Sequence, residues 1–243
     1  MSHNPITYPP LDVLKPAGDG LWVVDSGPLH ALGIIPLPVR MTVMRLESGG
    51  IILHSPTRYN GQLRGQIEQH GPISHLVAPN SAHWSFLKEW KDQVPQALAW
   101  AAPGLRARRP VRKSGIEWHD DLGLSSSALW SPDIEQIEVP GLGGFCEICF
   151  FHRRSDSLIL TDLMQNLDNS TMSPPLRIFS TLTGAQGRAP IYLRAIIKLK
   201  GAAARTAAER LVALDPKRVV FSHGQWFETD ASFRLRKALD WLL

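Results

Sequence analysis

The chain has 243 residues, 44% hydrophobic and 20% charged, the composition of an ordinary globular protein with enough chain to bury a large core. No apolar run approaches the length of a membrane span, and the N-terminus MSHNPITYPP lacks the basic and apolar regions of a signal peptide. With only Cys146 and Cys149, a disulfide framework is not expected and a reducing cytoplasm is.

Residues 1–19 are Pro-rich and read as an extended N-terminal segment on one domain over 1–243. Leu21–Ser26 reads as a short strand, and Val39–Leu46 and Ile51–Ser55 as a hairpin across Gly49-Gly50. Asn60 can cap a helix to about Gln69, which Gly71-Pro72 stops. His75–Pro79 is a strand. Ser81 is positioned to cap the next helix, to about Asp92, with Trp84, Leu87 and Trp90 spaced by three. Ala97–Ala102 is a strand again, so the alternation from Ile51 implies parallel strands with right-handed crossovers.

Pro103-Gly104 opens a basic stretch of Arg106, Arg108, Arg109, Arg112 and Lys113. It has no interleaved aromatics for stacking bases, and the charge of +4 is otherwise mixed along the chain. That disfavours nucleic acid as a partner. The stretch reads first as a solvated loop and second as a contact for an anionic substrate. From Gly115 the pattern changes: GIEWHDDL, ALWSP and IEQIEV look like strands of an antiparallel meander. Phe145–His152 and Ser157–Asp162 form a second hairpin across Arg153–Asp156. Leu163–Ser173 is loop. Helices follow from Pro174-Pro175 to Leu182, over Ile191–Lys198 and over Ala202–Leu214. Arg218–Ser222 is a last strand, and Phe227–Leu243 a closing amphipathic helix with Phe233, Leu235, Leu239 and Leu242 as its apolar face.

Polar residues at the ends of apolar strands are the candidate site, because ligands of α/β sheets gather at the carboxyl ends of strands. They are His54, the Asn80/His83 turn, Asp162 and His223. Glu147, inside an apolar strand, joins them: a buried carboxylate must be paired or bound to a cation. Each has a plainer role open to it. His54 can bond a neighbouring turn, Asn80 can satisfy turn backbone, Glu147 can pair with Arg153 or Arg154, and Asp162 can cap the following turn. Cys146 and Cys149, three apart on a strand, point to opposite faces and read as packed thiols. No GxSxG, P-loop or GxGxxG occurs.

Together these stretches resemble the metallo-β-lactamase-fold hydrolases. IILHSP looks like that family's early strand, HLVAPNSAHWSFLKEW occupies the place of its HxHxDH, SLILTD that of the strand ending in the bridging Asp, and VVFSHG that of the last His. The resemblance implies an α/β fold of αββα type, two mixed β-sheets packed face to face with helices outside. It departs from the family in having PNSAHW where HxHxDH belongs, and no counterpart of the middle His. It therefore looks like an uncharacterised branch with a remodelled site. Carried over residue by residue, it implies one divalent metal, zinc first and iron or manganese after it, on His83, Glu147, Asp162 and His223. Asp162, His83 and Asn80 would carry catalysis, with His54 nearby.

The expected function is a metal-dependent hydrolase whose activated water attacks an ester, amide, lactone or phosphodiester of a small molecule, the basic loop offering a contact for an anionic end. The competing expectation is a scaffold that keeps the fold, has lost the metal and serves as a binding module.

Overall fold

A computed structural model describes residues 7–31, 35–123, 128–168, 170, 172 and 174–243. The first sheet runs in chain order. Strands β1 (Lys15–Gly18), β2 (Leu21–Ala31), β3 (Ile35–Arg45) and β4 (Ile51–His54) pair antiparallel, and β4, β5 (Ile73–Ala78), β6 (Leu98–Ala101) and β7 (Asp120–Asp121) pair parallel. The second sheet has the order β13 (Arg218–Val220), β10 (Ser157–Ile159), β9 (Cys146–His152), β8 (Ile134–Pro140). Beyond it a small sheet joins β12 (Gln186–Arg188), β11 (Gln165–Asn166) and β14 (His223–Gly224). Strands β10 and β13 pair in parallel, and so do β11 and β14 after them. The small sheet is thus the same strand pair resumed after a break, and Asp162 and His223 lie at that break.

The two faces of β9 establish the layers. Cys146, Ile148 and Phe150 join the core that includes the first sheet, while Cys149 and Phe151 join a second core with the C-terminal helices. Side chains alternate across a strand, so β9 is covered on both sides. Both cysteines are free and buried, on opposite faces as expected. Helices α1 (Gly61–Glu68) and α2 (Leu87–Gln93) send Leu63, Ile67, Leu87 and Trp90 into the first core. Helix α3 (Arg109–Arg112) is one short turn. Helices α4 (Pro174–Thr183) and α5 (Ile191–Lys198) follow β11 and β12, and α6 (Ala202–Ala213) and α7 (Ala231–Ala238) cover the second sheet through Ala204, Ala208, Leu211 and Leu235.

Local chemistry explains the boundaries. The Asn60 side chain accepts from the backbone N–H of Gln62 and Leu63 at 2.8 and 3.1 Å, starting α1 as expected. At Gly71, φ is +148° and a Cβ would lie 2.1 Å from the Gly49 carbonyl oxygen, so glycine ends that segment.

Four expectations are corrected. Helix α2 begins at Leu87 with Phe86 before it, so Ser81 caps nothing; Asn80 supplies the turn's acceptor instead. The stretch 115–122 is not a meander strand: only Asp120–Asp121 is strand, added parallel to β6 through His119 N–H to Ala99 O and Leu122 N–H to Ala101 O. Residues 128–130 are helical, and Trp130 is fully buried. The last helix starts at Ala231, because the backbone of Phe227 pairs instead with the free edge of β13 at Val219. Its Phe233 is 69% exposed and lies off the apolar face.

Candidate metal centre

His83, Asp162 and His223 come together. Their ligand atoms all lie within 4.8 Å of one another, and they form the one such group of His, Cys, Asp and Glu that includes candidate residues, among the described residues. His83 Nε2 is 3.2 Å from one Asp162 oxygen and His223 Nε2 is 3.2 Å from the other. The two rings are 5.2 Å apart.

Backbone and hydroxyl partners orient the imidazoles. His223 Nδ1 is 2.8 Å from the Pro38 carbonyl oxygen on β3. A carbonyl only accepts, so Nδ1 carries the hydrogen, and in the neutral ring Nε2 presents a lone pair. His83 Nδ1 is 2.6 Å from the Ser55 hydroxyl, at the end of β4. Ser55 itself sits at φ +55°, an unusual conformation for a residue with a side chain. The loop that carries His223 is clamped by Arg40, 3% exposed, which donates to Phe221 O at 2.9 Å and Gly224 O at 2.7 Å and pairs with Asp25. At Gly224, φ is +101° and a Cβ would lie 2.1 Å from Asn166 O, so only glycine allows β14 to lie against β11.

Asn80 and Glu147 stand behind Asp162. Asn80 is fully buried, and its side-chain oxygen accepts from Ala82 and His83 N–H while its NH₂ reaches Asp162 and Thr161, both at 2.9 Å. Glu147, also fully buried, accepts from the backbone N–H of Thr161, Asp162 and Leu163 at 2.6, 2.8 and 3.0 Å. Its partners are therefore these backbone amides and the Asn80 NH₂ at 3.3 Å, and not Arg153 or Arg154; those two pair with Glu135 and Asp19. The structure brings Glu147 to the turn that bears Asp162 and leaves it outside the three-residue group. His54 is 1% exposed, with its ring 5.1 Å from that of Phe150, and is part of the core behind the site.

The electrostatics follow from this packing. Burial works against the charged form of His83, but Asp162 at its Nε2 and Glu147 behind it outweigh that and raise its pKa. Burial likewise works against the Asp162 carboxylate, and His83 and His223 overcome it, holding the group well below the usual carboxylate range. Burial and the Asp162 charge push Glu147 up, against the backbone amides that favour its ionised form. Burial, with His83 adding to it, drives His54 down to about 3, so it stays neutral.

The donor set suits a divalent ion: two imidazole nitrogens and a carboxylate, with room for further ligands. An imidazole lone pair facing a carboxylate oxygen at 3.2 Å is two acceptors in opposition unless a cation, a proton or a metal, lies between them. A cavity of about 290 Å³ opens onto this face. Its apolar wall is Leu29, Leu37, Val39, Phe86, Phe145 and Leu193. Tyr192 and Gln165 also line it, and nothing in the sequence marked them, because neither ends an apolar strand. The basic loop is exposed and Arg106 is paired with Asp120 and Asp121. No Lys or Arg lines the cavity among the described residues.

The fold is that of the metallo-β-lactamases. Similar solved structures include the metallo-β-lactamase FIM-1 from Pseudomonas aeruginosa in its mono-zinc form, at 15% identity and TM-score 0.60 over 94% of each chain. A metallo-β-lactamase from Pontibacter korlensis is similar at 12% identity and TM-score 0.57, over 93% of this chain and 98% of that one. The metal-soaked flavodiiron core of Flv1 from Synechocystis sp. PCC6803 is similar at 14% identity and TM-score 0.64, over 94% of this chain and 60% of that one. At these identities the likeness establishes the fold alone. The chain belongs to the family described as "Domain of unknown function (DUF4336)", whose model matches residues 19–176. No curated protein matches it. No helix among the described residues is long and apolar enough to cross a membrane.

Proposed function

We propose that this protein is a hydrolase that works with a single divalent metal ion held by His83, Asp162 and His223. The observation that carries the reading is the convergence of three ligand atoms within 4.8 Å, with the His223 proton committed to a backbone carbonyl on the opposite side of its ring. Zinc fits the set first, and iron or manganese after it. A bound ion of this kind supplies Lewis acidity and lowers the pKa of a coordinated water toward about 7.

The chain's own residues do the rest. Pro38 and Ser55 fix the two rings so that both Nε2 atoms face Asp162. Asn80 and Glu147 hold the 161–163 turn and so the Asp162 carboxylate; on this reading Glu147 positions a ligand and does not serve as one. The apolar wall keeps bulk water from the reacting group. In the hydrolysis of an ester, the water oxygen bonds to the acyl carbon and the bond to the leaving oxygen breaks. One water proton ends on the alcohol and the other leaves with the acid.

Metal content is the test. The chain, purified without chelator and then offered zinc, iron(II) or manganese, is expected to retain one ion per chain. His83→Ala and Asp162→Ala are expected to weaken retention by about 100-fold or more. If the wild type retains no ion under any loading, the reading is lost. A second reading then stands, for which the pairing of Asp162 with both histidines speaks: protons between Asp162 and the two imidazoles close the network without metal, and the chain is a binding scaffold in which Asp162→Asn is well tolerated.

A further inference from the structure

The cavity in front of the three residues carries information about the substrate that the ligands do not. Its volume of about 290 Å³ is at the small end for a ligand pocket and holds on the order of ten water-sized volumes. The wall is aliphatic and aromatic on the sides contributed by β2, β3 and the segment before α2. Apart from His83, Asp162 and His223, the polar side chains facing it are uncharged. Thr57, 1% exposed, has a hydroxyl with no hydrogen-bond partner. The Gln165 amide and the Tyr192 hydroxyl also make no hydrogen bond to protein among the described residues. Tyr192 is 54% exposed, and a phenol is protonated at neutral pH, so its hydroxyl is a donor there.

No Lys or Arg among the described residues lines this cavity, and its one carboxylate is Asp162. The cation closest at hand, Arg58, is not among the lining residues and belongs to an adjoining hollow that shares Leu29, Val39 and Phe86 with the cavity. Its guanidinium sits 5.2 Å from the Phe86 ring, and its side chain is 73% exposed. An anionic group on the body of a ligand would therefore meet neutral donors and apolar wall but no cationic side chain among the described lining residues, and desolvating a charge that no cation balances is costly. An apolar chain would fill the same wall favourably, because its CH₂ groups leave water.

Resting on the hydrolase reading, we propose that the cavity takes a small, uncharged acyl compound, an ester or lactone with an apolar body, and rejects counterparts whose body carries a carboxylate or phosphate. Gln165 and Tyr192 offer the donors for its carbonyl oxygen, and Leu37 and its neighbours accept the chain. This replaces the expectation of an anionic substrate held by the basic loop.

The test compares two ligands with the same head group: a six-carbon alkyl amide, and the same amide ending in a carboxylate. Binding to the as-purified full chain is measured by calorimetry and ligand-observed NMR. The uncharged amide is expected to bind at least about tenfold tighter, or 1.4 kcal/mol, and Leu37→Arg is expected to reverse that order. Equal or tighter binding of the carboxylate, or binding of neither, overturns the proposal. Turnover of the matching aryl ester by the zinc-loaded chain is read separately. Amide binding without ester turnover defeats the hydrolase reading and leaves the selectivity standing, whereas turnover with a preference for the charged ester does the reverse.

Discussion

Glu147 shows how one buried charge can organise a site without entering it. Its two oxygens receive three successive backbone N–H groups, and the middle one belongs to Asp162. Glu147→Gln replaces one acceptor oxygen by an NH₂ that faces a donor. A buried donor left unpaired costs about 1–3 kcal/mol, more beside a charge, so the variant is expected to unfold at lower urea by about 2 kcal/mol. Because the same turn aims Asp162, metal affinity is expected to fall by about 10- to 100-fold. Calorimetric metal titration of the folded variant checks the second effect independently of the first. Unchanged affinity would mean that the turn holds its shape without Glu147. The sequence marks Glu147 as anomalous, a carboxylate between Cys146 and Ile148, but three of its partners are backbone amides 14 to 16 residues away, which no residue type announces, and the fourth is the distant Asn80 side chain.

Elements were readable where their signals are local. The cap at Asn60 is an example: acceptor and N–H groups lie within three residues. Asn60→Ala is expected to cost about 1 kcal/mol of stability, read from the denaturation midpoint, with the site unaffected. A loss near zero would show that tertiary packing alone holds α1. Elements were misread where a distant edge decides the outcome. The ALW stretch has strand-like composition, yet Trp130 turns inward to stack on Trp100 and His75, with centroids 5.3 and 5.0 Å away. Phe227 looked helical and is drawn onto the free edge of β13. In each case burial of an aromatic or completion of a ladder outweighs local propensity.

The core of the whole molecule is also polar enough to feel pH. His75 is buried, and burial, with His119 adding to it, drives its pKa down to about 4. Its Nδ1 accepts from Trp100 Nε1 at 3.1 Å, a group that can only donate, so the folded state needs the neutral ring. An unfolded His titrates near 6.5. Below that pH the unfolded chain binds a proton that the folded chain refuses, so stability is complete above about 6.5 and is lost as pH falls toward 4, by up to about 1.4 kcal/mol per unit. His75→Asn keeps an acceptor for Trp100 and removes the titration. Urea midpoints between pH 7 and 4.5 should fall less steeply in this variant, and equal slopes would show that His75 is not the linked group.

By itself the sequence determined the alternation of β4, α1, β5, α2 and β6, the second hairpin, and five polar residues at strand ends, because hydrophobic period, turn chemistry and capping act within a few residues. Those signals marked the strand-end candidates, and the resemblance to the metallo-β-lactamase fold supplied the expectation of a metal set of His83, Glu147, Asp162 and His223. Only the tertiary structure decided that these three meet while Glu147 and Asn80 stand behind them, and that the basic loop stays outside the cavity. The reason is geometric: β10 and β13 pair only after 58 or more residues of intervening chain, Ser157 opposite Arg218, and the break they share is what sets Asp162 beside His223.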